Sequence, residues 1–127
     1  MQAPTRRPTV NWLLFSPSGR AGRQVFILGW LFWLAINSYT VASLALHQED
    51  EELFRFFSLL FFAGLAASSA STIMLSIKRL HDMGLPGLLV FVLFIPAVSL
   101  VMLFVLCLWP SQSGANSYGP APDWPQT

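Results

Sequence analysis

Three long apolar stretches, separated by short polar segments, dominate the pattern along the chain. They run over residues 25–46, 56–77 and 85–109, and none of them contains Asp, Glu, Lys or Arg. Their lengths of 22, 22 and 25 residues each suffice for a helix to cross a hydrocarbon core of ~30 Å. The pattern predicts an all-α integral membrane protein with a single membrane domain over residues 1–127. We place its three transmembrane helices at about residues 25–46, 56–77 and 86–109.

Pro96 divides the third stretch near its middle. A proline inside a helix removes a backbone hydrogen bond and kinks the helix, so we expect a kinked third span. The alternative is a re-entrant hairpin, whose arms of about 10 to 13 residues are too short to cross the membrane. A span would carry the C-terminal tail to the far side of the membrane, whereas a hairpin would return it to the cytoplasm.

The segments that flank the three stretches differ in character. Residues 10–24 contain the apolar patch Trp12–Phe15 beside arginines, which predicts an interfacial segment in the headgroup layer. The tail over residues 110–127 is rich in proline and glycine, which predicts an irregular structure. The first stretch is longer than the h-region of a signal peptide, about 7 to 15 residues. We therefore expect a retained span rather than a cleaved signal.

Composition narrows the class of protein. Only 10% of the residues are charged, against about 25% in an ordinary soluble domain. This composition excludes a compact soluble protein, and the absence of an extended basic face excludes a nucleic-acid partner. Cys107 is the only cysteine, which excludes a disulfide-built domain. We expect neither a cofactor nor a metal site.

The basic residues are distributed unevenly between the two sides of the predicted spans. Six of the seven Lys and Arg residues precede the first stretch or lie between the second and third, and Arg55 alone lies on the other side. Because positive residues are retained in the cytoplasm, the N-terminus is predicted to be cytoplasmic in a multi-pass protein. The acidic run over residues 49–52 then faces the far side of the membrane.

Small residues occupy the inner half of the second stretch. Gly64, Ser68 and Ser71 share one helix face, and such residues let helix backbones approach closely in lipid. We expect this helix to be the central one, although a groove for a lipid or a partner helix is the alternative interpretation. Asn37, the one strongly polar residue deep in any stretch, is predicted to bond Ser68 or Ser71.

Most of the remaining chemistry lies at the predicted cytoplasmic surface, in three motifs that precede the first stretch, follow the second and follow the third. They resemble the motifs of a family of small bacterial inner-membrane proteins known as domain of unknown function 805 (DUF805). The resemblance covers about residues 12–122 and implies the bacterial inner (plasma) membrane as the location, with no established activity. It rests on Phe15, Gly19, Arg20 and Arg23; on Arg79, Leu80, His81 and Asp82; on Ile95 and Pro96; and on Asn116, Tyr118 and Gly119.

Three functions are compatible with these motifs. We expect a non-catalytic membrane protein whose basic face contacts anionic lipid headgroups or a membrane partner, including a second copy of the chain. A small transporter or channel subunit, active as an oligomer, is the second hypothesis. An enzyme that uses His81 and Asp82 as an acid/base pair or as metal ligands is the third. The basic face consists of Arg20, Arg23, Lys78 and Arg79.

Asp82 is the one acid among the six basic residues on the predicted cytoplasmic side. A carboxylate in such surroundings is held ionised by an arginine within ~4 to 6 Å, so we expect an arginine partner. Arg79 lies one helical turn earlier. Arg20 or Arg23 is the alternative, because a guanidinium approaching from the first span offers a planar bidentate fork.

Overall fold

The computed structural model describes residues 8–125, and every regular element in that range is helical. The all-α prediction is confirmed: no strand occurs within those residues, and one isolated bridge joins Asn116 and Gly119. Arg6 and Arg7 lie outside the described residues. The elements are α1 (Val10–Phe15), α2 (Arg23–Leu46), α3 (Glu51–Asp82), a 3₁₀ segment (Gly87–Phe94) and α4 (Pro96–Leu108).

Two helices, α2 and α3, are long and apolar enough to cross a membrane, with 24 and 32 residues. Only 22% of the most apolar segment of each helix is buried inside the structure, whereas the core helix of a soluble protein is mostly buried. Large apolar side chains such as Leu28 on α2 and Phe62 on α3 are each 65% exposed. These outward-facing apolar surfaces are typical of helices that face lipid.

Both ends of α3 are set by local signals in the sequence. At the start, the Asp50 carboxylate accepts a hydrogen bond from Leu53 N at 3.2 Å, and Glu51 and Glu52 favour the positive end of the helix dipole. At the other end Gly84 has a φ of +80°, which favours glycine and stops the helix. At ~1.5 Å per residue α3 is roughly 48 Å long and therefore extends beyond a ~30 Å hydrocarbon core.

The third apolar stretch forms a hairpin instead of the expected kinked helix. Ile95 is extended, with φ −94° and ψ 114°, and separates the 3₁₀ segment from α4. Leu85 N donates to Leu80 O at 2.8 Å, and beyond α4 Gln112 N donates to Asp82 O at 2.8 Å. Both ends of the stretch therefore lie at the same end of α3. The prediction of a continuous, kinked third helix is therefore wrong, and the stretch has the shape of the hairpin alternative.

α3 contacts each of the other helical elements, as the small residues on its face predict. Asn37 Nδ2 donates to Ser68 Oγ at 3.1 Å, which is the expected partner. Trp33 Nε1 donates to Ser71 Oγ at 2.8 Å. A Cβ atom on Gly64 would lie 3.6 Å from Asn37 Oδ1, so this glycine also faces α2. The main apolar cluster lies near the Asp82 end of the fold and consists of Phe26, Leu75, Leu80, Val90 and Leu106.

Candidate functional site

Three parts of the chain that are distant in sequence meet at one end of the helices. They are the loop over residues 16–22, the last turn of α3 and the tail over residues 109–125. Backbone hydrogen bonds connect these three parts directly, so the tail is bound to the rest of the fold although it is irregular. The connecting bonds are Ala21 N to Lys78 O at 3.1 Å, Arg20 N to Trp124 O at 3.1 Å, Asp123 N to Arg20 O at 3.0 Å and Gln112 N to Asp82 O at 2.8 Å.

Asp82 lies at the centre of this site between two arginines. Its Oδ1 is 3.0 Å from Arg20 Nε, and its Oδ2 is 3.0 Å from Arg79 Nη1. The Ser111 hydroxyl also donates to Oδ2, and the side chains of Asp82 and both arginines are 0% exposed. The expectation of an arginine partner is confirmed for both Arg79 and Arg20. Arg23 instead is exposed and donates to Leu108 O at 3.3 Å.

Arg20 joins the carboxylate to the tail. Its Nε contacts Asp82, while Nη1 donates to Gly114 O and Nη2 donates to Gln112 O, each at 2.7 Å. The expected bidentate fork on the carboxylate is therefore wrong. The two terminal nitrogens bond tail carbonyls, and Nη2 also donates to Asp82 O at 3.5 Å, so Nε alone contacts the Asp82 carboxylate.

Arg79 satisfies the C-terminal end of α4. Its Nε donates to Leu106 O at 2.6 Å, and its Nη2 donates to Trp109 O. The last four carbonyls of a helix have no partner within the helix, and a guanidinium is well placed to bond them and to favour the negative end of the dipole. The returning arm of the hairpin is thus held at the last turn of α3.

Lys78 bonds the C-terminal carbonyls of α1 in the same way. Its ammonium donates to Trp12 O at 2.6 Å and to Leu13 O, and it lies 4.5 Å from the centre of the Trp12 ring. The carbonyls belong to the last turn of α1, and the ring adds a cation–π contact. Trp12 is only 7% exposed, because its ring is enclosed by the fold and contacts Lys78. The interfacial location of residues 10–24 stays a prediction.

Most residues of the predicted basic face are buried. Arg20, Lys78 and Arg79 are 0% exposed, and a buried charge is tolerated only when it is paired and hydrogen-bonded. Their nitrogens bond the Asp82 carboxylate and backbone carbonyls. The expectation that these three residues contact lipid headgroups is therefore corrected, because the tail and α1 cover them. Of the four residues of the predicted face, Arg23 alone is exposed.

His81 faces the tail motif. Its ring stacks on Tyr118 with 4.0 Å between ring centres and an angle of 1° between the planes. Its Nδ1 is 3.1 Å from Gly19 O, and Asn116 Nδ2 donates to His81 O at 2.9 Å. Tyr118 N in turn donates to Asn116 Oδ1 at 2.9 Å. The Asn116 and Tyr118 motif thus holds the tail against the end of α3.

Two glycines permit the close approach of these segments. Gly19 has a φ of +92°, and a Cβ atom there would lie 2.6 Å from Trp124 O, which no real side chain tolerates. A Cβ atom on Gly119 would lie 3.4 Å from Arg20 Cδ. Gly19 is required by its backbone conformation, and Gly119 leaves room for the buried arginine.

Several residues that hold the site together were not predicted from the sequence. Gln112 and Gly114 bond Arg20 through their backbone carbonyls, and such contacts have no side-chain pattern in the sequence. Asp123 carries a usable signal, because it is the one charged residue of the tail. Its Oδ1 accepts a hydrogen bond from Gly22 N at 2.7 Å. Gly22 is the N-cap residue of α2, and a carboxylate at that position is stabilised by the positive end of the helix dipole. Across residues 8–125 no three His, Cys, Asp or Glu side chains come together as a metal site requires.

Comparison with known families agrees with the sequence motifs. The family described as "Protein of unknown function (DUF805)" matches residues 14–120, which is most of the chain. The chain belongs to the DUF805 family. No curated protein and no solved structure gave a significant match. In this DUF805 chain three of the four motifs behind the resemblance meet at the Asp82 site, and the fourth, Ile95-Pro96, forms the turn of the hairpin.

Proposed function

We propose that this protein is a non-catalytic integral membrane protein of the bacterial inner membrane, with two crossings and a re-entrant hairpin. Helices α2 and α3 are the crossings. The hairpin is too short to cross, because α4 has 13 residues, about 20 Å at ~1.5 Å per residue, and the core is ~30 Å thick. The observation that carries the proposal is that both ends of the hairpin bond the same end of α3.

Charge supports a cytoplasmic location for the Asp82 end. The tail contains neither Lys nor Arg, so its position does not change the charge count. Six of the seven Lys and Arg residues lie on the Asp82 side, and Arg55 lies on the other. By the positive-inside rule, the N-terminus and the tail are both cytoplasmic. The connection between α2 and α3, with its acidic run over residues 49–52, faces the periplasm.

The geometry of His81 and Asp82 favours a structural role over acid/base catalysis. A general base needs a lone pair within hydrogen-bond reach of a substrate. Both carboxylate oxygens of Asp82 already accept bonds from arginines, and the His81 ring stacks on Tyr118. Binding is therefore assigned to the exposed surfaces, with Arg23 contacting anionic lipid headgroups and the outer faces of α2 and α3 open to lipid or a membrane partner.

Topology reporters test the two-crossing arrangement. Alkaline phosphatase fused after Asp50 should be active and after Thr127 inactive, while a fluorescent protein fused after Thr127 should be fluorescent. The fluorescent fusion after Thr127 shows that the chain is expressed when the phosphatase fusion at the same site is inactive. Phosphatase activity at both sites would establish three crossings, and activity after Thr127 with inactivity after Asp50 would establish the reverse orientation.

Thermal unfolding in vesicles tests the role of Arg23. Replacing phosphatidylcholine by phosphatidylglycerol should stabilise the protein, since each basic residue near an anionic surface contributes about 1 kcal/mol. Arg23→Gln should reduce that gain. Arg55→Gln is the matched control, because Arg55 is exposed but lies 3.6 Å from Glu51 in the acidic connection. An equal gain in the wild type and in Arg23→Gln would remove Arg23 from the proposal.

A further inference from the structure

An open-sided cavity lies between α2, α3 and the 3₁₀ segment, away from the Asp82 site. Its volume is about 360 Å³, within the range of roughly 300 to 1,000 Å³ that is usual for small-molecule pockets. Much of its wall is apolar and comes from all three elements. The apolar lining includes Trp30, Leu34, Ile73, Leu93 and Phe94.

One side of this cavity carries a row of hydroxyl groups from α3. Ser69, Thr72 and Ser76 all line it, and their spacing places them on one helix face. The row extends from Ser69 to Ser76, about 10 Å along the helix at ~1.5 Å per residue. Asn37 faces the same space from α2. The cavity therefore offers polar groups along one wall and apolar side chains on the others.

Two of these polar residues carry atoms that the protein leaves without a hydrogen bond. Within the described range, the buried side-chain atoms that lack a partner are Asn37 Oδ1 and Ser76 Oγ, and both residues line this cavity. Ser76 is only 1% exposed, and Asn37 uses its amide nitrogen on Ser68. Buried polar atoms are almost always paired, so Ser76 Oγ indicates a missing partner. Asn37 Oδ1 instead faces Gly64, where a Cβ atom would lie 3.6 Å away, and is not assigned to the cavity.

We infer that this cavity binds a neutral amphipathic molecule, an apolar chain that ends in a hydroxyl group. The Ser76 hydroxyl both donates and accepts, as does a hydroxyl group on a ligand. Among the described residues that line the cavity none is charged, so a charged headgroup finds no counter-ion there. The inference adds a ligand class to the proposed membrane protein, and its test does not depend on topology.

The ligand is tested with probes that share a chain and differ in the headgroup. The purified full chain is held in an amine-oxide detergent, which offers no hydrogen-bond donor, and retained molecules are counted by native mass spectrometry. One oleyl alcohol should be retained per chain. Retention of 1-octadecene should be at least about fivefold weaker, because it makes no hydrogen bond, and oleate should also bind more weakly. Equal retention of octadecene and oleyl alcohol would overturn the inference.

Two variants connect the binding to the cavity. Ser76→Ala and Thr72→Val should each weaken oleyl alcohol retention, with about a fivefold loss for Ser76→Ala. Ser76→Ala should leave the thermal midpoint unchanged, since its hydroxyl has no partner in the fold. The matched control is Ser58→Ala, because Ser58 Oγ bonds Phe54 O outside the cavity. Unchanged retention in both variants would contradict the site, and no retention in the wild type would indicate a cavity that holds water only.

Discussion

Asp82 is the residue on which the buried charges depend, since it contacts both Arg20 and Arg79. Asp82→Asn removes the negative charge and leaves two buried guanidinium groups uncompensated, so we expect a loss of about 3–5 kcal/mol in the free energy of unfolding. Arg20→Lys should not substitute fully, because an ammonium lacks the planar donors that reach Gln112 and Gly114. Denaturant titration in detergent measures both effects.

The control for these variants is an acid outside the site. Glu49→Gln changes the same kind of charge on an exposed residue and should alter stability by less than about 0.5 kcal/mol. If Asp82→Asn is no more destabilising than Glu49→Gln, the buried ion cluster of Arg20, Arg79 and Asp82 does not stabilise the fold.

Charge counting predicts the partner of Asp82 but not the burial of the cations around it. The sequence predicts an arginine partner for the one acid among six basic residues, with a solvated Asp82 and weak surface pairing as the alternative. The burial of Arg20 and Lys78 follows from backbone carbonyls of the tail and of α1. Backbone carbonyls are the same at every residue, so no sequence pattern reveals which ones an arginine will find.

At the scale of the elements, the small residues of α3 form its contact with α2. Gly64→Leu should destabilise the protein by about 1–3 kcal/mol through overpacking, because a Cβ atom there already lies 3.6 Å from Asn37 Oδ1. Gly64→Ala should be tolerated at that distance. Ala63→Leu is the matched control, since Ala63 is exposed on the neighbouring face. Thermal unfolding in detergent compares them, and equal effects of the two leucines would show that Gly64 does not face α2.

The apolar pattern predicts α2 and α3 well and the third stretch poorly. A charge-free stretch of sufficient length indicates burial in lipid, but it is the same for a span and for a hairpin. Pro96 marks the position of the break, and the direction after the break is set elsewhere. Arg79 bonds the last carbonyls of α4, a contact across 27 to 30 residues that periodicity does not encode.

At the scale of the whole molecule, contacts around Arg20 join the N-terminal and C-terminal parts of the described chain. Arg20 and Asp123, in the N-terminal loop and the tail, are paired by a backbone hydrogen bond of 3.0 Å, and Asp123 also bonds the start of α2, 101 residues away. Closing so long a loop costs conformational entropy, which these bonds and those of Arg20 to the tail carbonyls offset. The tail therefore belongs to the fold even though it contains no helix.

Truncation after Pro110 tests this integration of the tail. It removes the Gln112 and Gly114 carbonyls from Arg20 and the Ser111 hydroxyl from Asp82, so we expect a lower thermal midpoint than for a control that lacks only residues 126–127. Because truncation and Asp82→Asn disturb one network, their effects should be non-additive, with a coupling of about 0.5–3 kcal/mol. The Asp82→Asn change alone should also speed hydrogen exchange of the amides over residues 111–125. Additive effects together with unchanged exchange would mean that the tail packs independently of the buried ion cluster.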